Sequence, residues 1–283
     1  MTAAQFRKTI WSYYNENGRS MPWRDKPTPY YVVVSEIMLQ QTQVTRVVGK
    51  FELWIEKFPN WKALARASVR EVLAEWSGLG YNRRALYLKR IAEVITENGK
   101  LAGTLPQTQE ELISLPGIGS NTAGSILAFA FNQPTIFIET NIRSVYIHFF
   151  FPEIEKREGR KACKKISDDQ LLSIIKKTVD QKNPREWYWA LMDYGSYLKS
   201  TLPNPSRRSA HHIKQKPFKG SNREMRSQIL QAIMKSPSTY ETLVERLESN
   251  KDGPKNAGAI LRNINDLKKE GFIVERGKIL QVK

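Results

Sequence analysis

The sequence has little cysteine and little histidine, with one cysteine, Cys163, and three histidines among its 283 residues. A single cysteine excludes an intrachain disulfide and a metal site made of several cysteines. The pair His211 and His212 is too small a set for a metal site, so no metal ion is expected. Since chains without disulfides are typical of reducing compartments, a cytoplasmic location is expected.

Apolar runs of membrane-spanning length are also missing, and no cleavable signal is recognisable at the N-terminus. Acidic residues are outnumbered, with 28 Asp and Glu against 45 Lys and Arg, which gives a formal net charge of +17 at pH 7. Such a positive excess indicates a polyanionic partner, of which nucleic acid is the commonest. A membrane surface is the weaker alternative.

Strand patterns are scarce too, and because none precedes residue 270, the first 200 residues are predicted to be all-α. Apolar residues at helical spacing predict helices over 2–17, 33–48, 51–57, 61–67, 69–76, 83–98, 140–149 and 185–198, with a charged helix pair over 153–181. Pro27, Pro29 and the pair Tyr30–Tyr31 predict an extended connector before the helix over 33–48.

The composition changes after residue 202. Residues 203–222 are rich in proline, serine and basic side chains, among them Arg207, Arg208, Lys214 and Lys216. They are predicted to form a linker that either follows DNA or acts as a solvated hinge. Residues 223–283 contain three predicted helices followed by a hairpin, which is the order of a winged helix. Its third helix either enters a DNA groove or contacts a protein.

The stretch Leu115–Gly124 contains two glycines separated by one residue, followed by a predicted helix. Because glycine adopts backbone angles closed to other residues, this pair predicts a tight turn. Backbone N–H groups at the start of the helix form a phosphate-binding site, whose residues would be Gly117, Ile118, Gly119 and Ser120. A short helix capped by Thr108 and Glu111 is predicted just before the turn. The alternative is an ordinary corner between two helices.

Two further residues have open interpretations. Glu36 lies with Gln40 and Gln43 on the polar face of the helix predicted over 33–48. A carboxylate in so apolar a segment is costly unless it has a partner, and the alternative is that Glu36 is exposed. Tyr81 follows a glycine-rich turn and is either a buried staple or an exposed wedge. Arg83 and Arg84 close by favour exposure near phosphates.

Several strings in this order resemble the helix-hairpin-helix DNA glycosylases, and within them most closely the MutY-type adenine glycosylases. The strings are Met21–Arg24, Ser35–Val44, Trp76–Tyr81, Leu115–Gly124 and Ala190–Gly195. All of them lie within residues 1–202, and several spaced strings are far more specific than a single Gly-x-Gly.

The resemblance implies a mainly α fold with a glycosylase domain over 1–202, the linker over 203–222 and a small winged-helix-like α+β domain over 223–283. A six-helix part would span about 28–135, and a second subdomain would combine 1–27 with 136–202. The target base would be flipped from the duplex into the cleft between these two parts.

The resemblance also implies roles for the matching residues. Glu36 stands where the family has its general acid, which is needed because adenine leaves only when a ring nitrogen is protonated as the bond breaks. Gln41 would fill the space that the flipped base leaves, and Tyr81 would wedge into the base stack. The residues expected to assist base flipping and recognition are Trp23, Arg24 and Asp193.

Three departures from the family pattern matter. Glu139 replaces the catalytic aspartate that stabilises the oxocarbenium-like sugar, and its extra methylene shifts the carboxylate. Asn121 replaces the lysine of lyase-competent members, so no Schiff base is expected by the usual route. The cysteines of the family's iron–sulfur cluster are absent, so no such cofactor is expected. In their places the chain has Lys199, Ser206, Ser209 and Gln215.

The expected function is a monofunctional DNA glycosylase of base excision repair, acting on adenine or another purine that is mismatched or damaged in double-stranded DNA. Nothing here resembles the C-terminal domain with which adenine glycosylases read 8-oxoguanine, so the opposing base stays open. The alternatives are a thymine or uracil glycosylase at mismatches with guanine, and a catalytically decayed protein that binds distorted DNA. A monomer without a membrane partner is expected, acting on the nucleoid if the source is a prokaryote.

Overall fold

A computed structural model describes residues 1–97, 103–152, 165–213, 217–250, 253–254 and 256–283. Its elements are α1 (Ala3–Asn17), α2 (Pro22–Asp25), α3 (Pro29–Leu39), α4 (Val44–Lys57), α5 (Trp61–Arg66), α6 (Val69–Trp76), α7 (Arg83–Glu97), α8 (Gln109–Ile113), α9 (Ser120–Phe131), α10 (Thr140–Phe150), α11 (Asp168–Thr178), α12 (Pro184–Thr201), a 3₁₀ helix (Pro205–Arg208), α13 (Asn222–Lys235), α14 (Tyr240–Ser249), α15 (Ala257–Glu270), β1 (Ile273–Arg276) and β2 (Ile279–Val282). The predicted mainly α-helical class is confirmed. The residues Lys214, Gln215 and Lys216, and residues 153–164 of the helix pair predicted over 153–181, lie outside the described part, whereas α11 forms within its second half.

The chain divides into two compact units, each made of two stretches of sequence. Unit 1 contains Met1–Glu36 and Pro106–Lys214, and unit 2 contains Ile37–Leu105 and Gln215–Lys283. This division groups the winged-helix segment with the helices of 37–105, whereas the sequence pattern treats 223–283 as a domain of its own. The boundaries of the three predicted domains stay a prediction.

Unit 1 has an aromatic core that α1 helps to form. Thr2 caps this helix by accepting a hydrogen bond from the N–H of Gln5, and the Gln5 side chain accepts one in return. The fully buried Phe6 ring then packs at 5.1 Å from Tyr146 of α10 and at 5.7 Å from Trp187 of α12. The apolar face predicted for the first helix is therefore a core face.

Two glycines allow close approaches within unit 1. A Cβ at Gly195 of α12 would lie 2.4 Å from the carbonyl oxygen of Asn141, at the start of α10. A Cβ at Gly124 of α9 would lie 2.8 Å from the Cβ of Phe137. Neither contact is sterically tolerable, so both positions need glycine. The segment from Phe137 to Asn141 consequently packs tightly against two helices.

The helix predicted over 33–48 is wrong at both ends. The prolines and tyrosines before it do not form an extended connector, because Pro29 begins α3 and proline suits the first turn of a helix. The helix then stops at Leu39, and α4 starts only at Val44. Gln41, in the break, has a φ of 56°, which lies outside the right-handed helical region. The predicted helix over 51–57 is the second half of α4.

The N-terminal part of unit 2 is a group of four helices, α4 to α7, around buried tryptophans. Trp54 of α4 and Trp76 of α6 are fully buried, and their ring centroids lie 5.6 Å apart in an edge-to-face arrangement. Ser68 and Glu71 form a capping box at the start of α6. The helix therefore begins where this cap fixes it, one residue after Ser68.

The C-terminal part of unit 2 consists of α13, α14 and α15 followed by the antiparallel hairpin of β1 and β2. This is the predicted order of three helices and a hairpin. Gly277, with a φ of 62°, makes the turn between the strands. Ile260, Ile264 and Leu267 of α15 are fully buried, so the amphipathic face of this helix forms the core of the module.

The start of the predicted linker is packed rather than free. Pro205 and Ser206 are buried in the 3₁₀ helix, which contacts α10. The N–H of Ile166 donates to the carbonyl oxygen of Arg208 at 3.0 Å, and the N–H of Ala210 donates to the carbonyl oxygen of Ile166 at 2.8 Å. Residues 205–210 are therefore packed within unit 1, although their composition is that of a linker.

Candidate active site

Glu36 lies on α3, and its carboxylate faces a buried serine of α9. The hydroxyl of Ser125 is 2.5 Å from Oε2 of Glu36. Burial and the neighbouring charge of Glu139 raise the pKa of Glu36 to about 8, while Ser125 and Arg24 oppose the rise. The side chain is half-buried, so the alternative of a freely exposed Glu36 is wrong. This carboxyl group holds its proton at neutral pH.

Glu139 is the residue that precedes α10, and its carbonyl oxygen accepts a hydrogen bond from the N–H of Arg143 at 2.7 Å. Burial raises the pKa of the Glu139 carboxyl to about 7, and the positive charges of Arg143 and Lys199 oppose the rise. Since the charge of Glu139 also raises the pKa of Glu36, the two carboxyl groups interact electrostatically. Their surroundings assign the proton to Glu36 and the negative charge to Glu139.

The helix α9 supports both carboxyl groups. Besides Ser125, it provides Asn121, whose Oδ1 accepts a hydrogen bond from the N–H of Ile138 at 3.2 Å. The hydroxyl of Thr135 donates to the carbonyl oxygen of Gly124 at 2.8 Å. These two contacts hold the segment that leads into Glu139 along α9. Asn121 therefore positions the backbone next to Glu139.

The glycine-rich turn joins α8 to α9. Gly117 has a φ of 77°, and Gly119 precedes α9 with extended backbone angles and no side chain to cap the helix. The side chain of Ile118 is buried and anchors the turn, while Gly119 and Ser120 are exposed. The N–H groups of the first turn of α9 are therefore presented at the surface of unit 1.

Arg24 and Asp193 form a buried ion pair. The Nη1 and Nη2 atoms of Arg24 each donate to one carboxylate oxygen of Asp193 at 2.9 Å. Arg19 adds hydrogen bonds from its backbone N–H at 2.9 Å and from Nη2 at 2.6 Å. The guanidinium of Arg24 also lies 5.4 Å from the ring centroid of Trp189. Trp23, the residue before Arg24, is buried as well. The pair ties α2 to α12.

In unit 2, one buried arginine, Arg84, holds the two loops that carry Gln41 and Tyr81. Both loop residues have positive φ angles, 56° and 50°, which are strained for residues with a side chain. The guanidinium of Arg84 donates at 2.5 to 3.1 Å to the hydroxyl of Thr42 and to the carbonyl oxygens of Ile37, Met38, Gln40, Leu79 and Gly80. The expectation that Arg84 lies near phosphates is wrong, because its donors point into the protein.

Tyr81 is half-buried and held by two arginines. The guanidinium carbon of Arg84 lies 5.4 Å from its ring centroid and that of Arg223 lies 4.9 Å from it. Arg223 also donates to the Tyr81 hydroxyl at 2.6 Å. A cavity of about 950 Å³ in unit 2 is lined by Gln41, Tyr81, Phe218 and Arg223, among others. Tyr81 thus keeps a partly exposed ring in a fixed position.

Comparison with known proteins assigns the family. Residues 34–168 match the model of the HhH-GPD superfamily of base excision DNA repair proteins. The domain over residues 34–168 belongs to this superfamily. An adenine DNA glycosylase of Buchnera aphidicola (subsp. Baizongia pistaciae) is 34% identical over 203 residues, which are 70% of this chain and 54% of that protein. An adenine DNA glycosylase of Rattus norvegicus is 31% identical over 245 residues, which are 83% of this chain and 45% of that protein. The chain thus spans about half the length of these relatives.

Solved structures show the same helix-hairpin-helix fold. A thermostable thymine-DNA glycosylase aligns with a TM-score of 0.61 at 21% identity, over 74% of this chain and 92% of that one. An endonuclease III in complex with DNA aligns with a TM-score of 0.55 at 18% identity, over 72% and 90% of the two chains. The HhH-GPD fold predicted from the sequence strings is therefore confirmed.

Some residues of this HhH-GPD site could not be found from the sequence. Ser125 is inside an apolar helix, and its partner Glu36 is 89 residues away, so no local pattern signals the contact. Arg143 lies four residues after Glu139, a helical spacing that could have signalled it. Lys199 lies four residues after Gly195, on the face of α12 that contacts the start of α10. The positive charges of both residues act on the carboxylate of Glu139, and the guanidinium of Arg143 is itself hydrogen-bonded to Asp168.

The remaining predicted contacts are basic residues after the glycosylase domain. Arg207 is exposed on the 3₁₀ helix of unit 1, and Arg208 is half-buried there. Lys214 and Lys216 lie outside the described residues. Within the part of the chain that the structure describes, no group of three or more His, Cys, Asp or Glu side chains is arranged to hold a metal ion. No described helix combines the length and apolar character needed to cross a bilayer.

Proposed function

We propose that this protein is a DNA glycosylase that hydrolyses the N-glycosidic bond of adenine, or of another purine, at a mismatched or damaged site in double-stranded DNA. The single observation that carries the proposal is a pair of carboxyl groups in unit 1 whose surroundings favour different protonation states. Glu36, with its pKa raised to about 8, is a general acid, and Glu139, whose ionised form the charges of Arg143 and Lys199 favour, is a carboxylate. The names of relatives such as that of Buchnera aphidicola support adenine as the base.

Glu36 supplies the proton that a purine needs in order to leave. As the bond between C1′ and the base breaks, the bonding electrons go to the base, and Glu36 protonates a ring nitrogen. Burial keeps its proton in place at neutral pH, where an ordinary glutamate is ionised. Because pyrimidine leaving groups do not need the N7 protonation that a purine needs, this acid favours a purine substrate.

Glu139 acts on the sugar. Its negative charge stabilises the oxocarbenium-like sugar that forms when the base departs. Water then adds to C1′ and gives up a proton, which Glu139 can accept. The nearby charges of Arg143 and Lys199 favour the ionised form of Glu139 that this role requires. The segment that carries Glu139 is held along α9 by Asn121, which supports a fixed position for its carboxylate.

The other predicted residues are assigned to extruding the target base and to binding the DNA backbone. The target base must leave the stack before its glycosidic bond is reachable. We assign Gln41 to fill the space that the extruded base leaves and Tyr81 to wedge into the base stack. Both residues lie on strained loops that Arg84 holds in place. Trp23 and the pair of Arg24 and Asp193 support the flipped base. The N–H groups after the glycine-rich turn, together with Arg207, Arg208, Lys214 and Lys216, hold phosphates.

Base removal without strand cleavage follows from Asn121. An amide nitrogen does not form the Schiff base through which lyases break the strand. The Oδ1 atom of Asn121 is moreover occupied by the N–H of Ile138. The proposed enzyme is a monofunctional, monomeric glycosylase without an iron–sulfur cluster, and it acts on DNA in the cytoplasm, at the nucleoid in a prokaryote.

The test uses duplexes that hold adenine, hypoxanthine, thymine or uracil opposite each normal base, with half of every sample treated with alkali. The proposal predicts strand breaks at purines after alkali and none before it. Breaks at thymine or uracil opposite guanine would replace the purine assignment with a pyrimidine one. Tight binding without any product would indicate a DNA-binding protein that has lost catalysis. Breaks without alkali would contradict the role given to Asn121.

A further inference from the structure

Ser125 is a fully buried hydroxyl with two hydrogen-bond partners and one hydrogen. Its Oγ is 2.5 Å from Oε2 of Glu36 and 3.0 Å from the carbonyl oxygen of Thr122, one turn earlier in α9. Both distances are within hydrogen-bond range, but a hydroxyl donates only one hydrogen at a time. Both contacts can be hydrogen bonds at the same time only if Ser125 accepts from Glu36, because the carbonyl oxygen of Thr122 cannot donate.

This geometry fits both protonation states of Glu36. When Glu36 is protonated, its O–H donates to Ser125 Oγ, and Ser125 donates to the carbonyl oxygen of Thr122. When Glu36 is ionised, the Ser125 hydroxyl rotates and donates to the carboxylate. The carbonyl oxygen of Thr122 can release this bond without being orphaned, because it also accepts the regular hydrogen bond of the helix.

We propose that Ser125 is a positioning residue whose hydroxyl switches between Thr122 and Glu36 and so holds the acid in place before and after it gives up its proton. The inference rests on the proposed role of Glu36 as general acid and extends it. The other charged groups that act on Glu36 are Glu139, at the start of α10, and Arg24, on α2. Both act on the carboxyl through their charge, whereas Ser125 lies within hydrogen-bond distance of it.

The proposal predicts a change that a merely structural serine would not produce. A donor to the carboxylate favours the ionised form, so its removal raises the pKa of Glu36 further. In Ser125→Ala the loss of activity at alkaline pH should move to higher pH, because Glu36 keeps its proton longer. The maximal single-turnover rate should fall by about 10- to 100-fold, because the acid is no longer held in one orientation.

The control and the rescue use the same chain. Ser144, another fully buried helical serine, bonds the carbonyl oxygen of Thr140 at 2.8 Å, so Ser144→Ala removes a comparable hydroxyl away from Glu36. This control should leave the pH profile unchanged. Ser125→Thr keeps the hydroxyl and should restore the wild-type position of the alkaline limb. Unfolding by urea, measured for every variant, separates loss of rate from loss of folded protein.

A second measurement makes the inference independent of activity. Carbon-13 NMR of the glutamate side-chain carboxyls, without DNA, follows the titration of Glu36 across about pH 5 to 10, and Glu36→Gln identifies its signal. The expected result is a higher pKa for Glu36 in Ser125→Ala than in the wild type and in Ser144→Ala. An unchanged pKa would overturn the role of Ser125 even if the enzyme is active. A raised pKa in a protein that removes no base would uphold the contact and refute the proposed function instead.

Discussion

Arg24 and Asp193 meet in the interior of unit 1 through two hydrogen bonds of 2.9 Å, one to each carboxylate oxygen. Removing one partner of a buried ion pair leaves the other charge without compensation, which typically costs about 3–5 kcal/mol. We expect Asp193→Asn to lower the free energy of unfolding by about that amount, measured with urea. The surface pair of Lys268 and Glu275 is the control, since Glu275→Gln should cost much less. Equal losses in the two variants would contradict the stabilising role of the buried pair.

Arg84 should matter for stability and for base extrusion together. Arg84→Lys keeps the charge but cannot reach the six acceptors that the guanidinium serves in the loops of Gln41 and Tyr81. We expect a clear loss of unfolding free energy and a weaker rise in the fluorescence of 2-aminopurine placed at the target position. The adjacent, exposed Arg83 gives the control Arg83→Lys, which should change neither the free energy of unfolding nor the 2-aminopurine fluorescence. Full extrusion by Arg84→Lys would show that the loops hold their shape without it.

The pH dependence of base removal follows from the two raised pKa values. Activity requires protonated Glu36 and ionised Glu139, whose pKa values are about 8 and about 7. The single-turnover rate should fall below about pH 7, as Glu139 gains a proton, and again above about pH 8, as Glu36 loses one. Because the groups interact, the two limbs belong to the pair. A rate that keeps rising well above pH 9 would exclude Glu36 as the acid.

The same burial predicts a stability cost at alkaline pH. A carboxyl whose pKa is raised in the folded state stabilises the fold below its unfolded pKa, and this contribution is lost as the pH rises through the folded value. For Glu36 the loss runs from about pH 4.5 to about pH 8. Glu36→Gln should therefore be as stable as the wild type near pH 4.5 and more stable by a few kcal/mol near pH 9, since each tenfold change in proton affinity is worth about 1.4 kcal/mol. A variant that is less stable at high pH would contradict the raised pKa.

The sequence predicted the parts of this molecule that depend on local patterns. Capping residues such as Thr108 and a glycine pair such as Gly117 and Gly119 act on their neighbours, so the start of α8 and the tight turn were predictable. Glu36 was found because it lies in a string that the superfamily shares. Its role as the acid came from the same resemblance, and chemistry explains why a purine needs such an acid in order to leave.

Other parts depend on distant contacts and could not be predicted. The break at Gln41 interrupts a continuous helical pattern without glycine or proline, and it is maintained by Arg84, more than forty residues later. The residues around Pro205 have the composition of a linker, yet they are packed through backbone bonds with Ile166. The residues around Ser125 have the composition of an apolar core helix, so nothing local marks this serine. Only the fold places it on Glu36.

The most direct test of the account is the rate of purine removal by Glu36→Gln under single-turnover conditions, with affinity for the same duplex measured alongside. The substituted amide retains the shape of the side chain but cannot donate the acidic proton. We predict a fall in rate of at least about 100-fold with an unchanged dissociation constant, whereas Glu16→Gln, at an exposed position of unit 1, should behave as the wild type. A Glu36→Gln variant that removes the base at the wild-type rate would contradict the central claim.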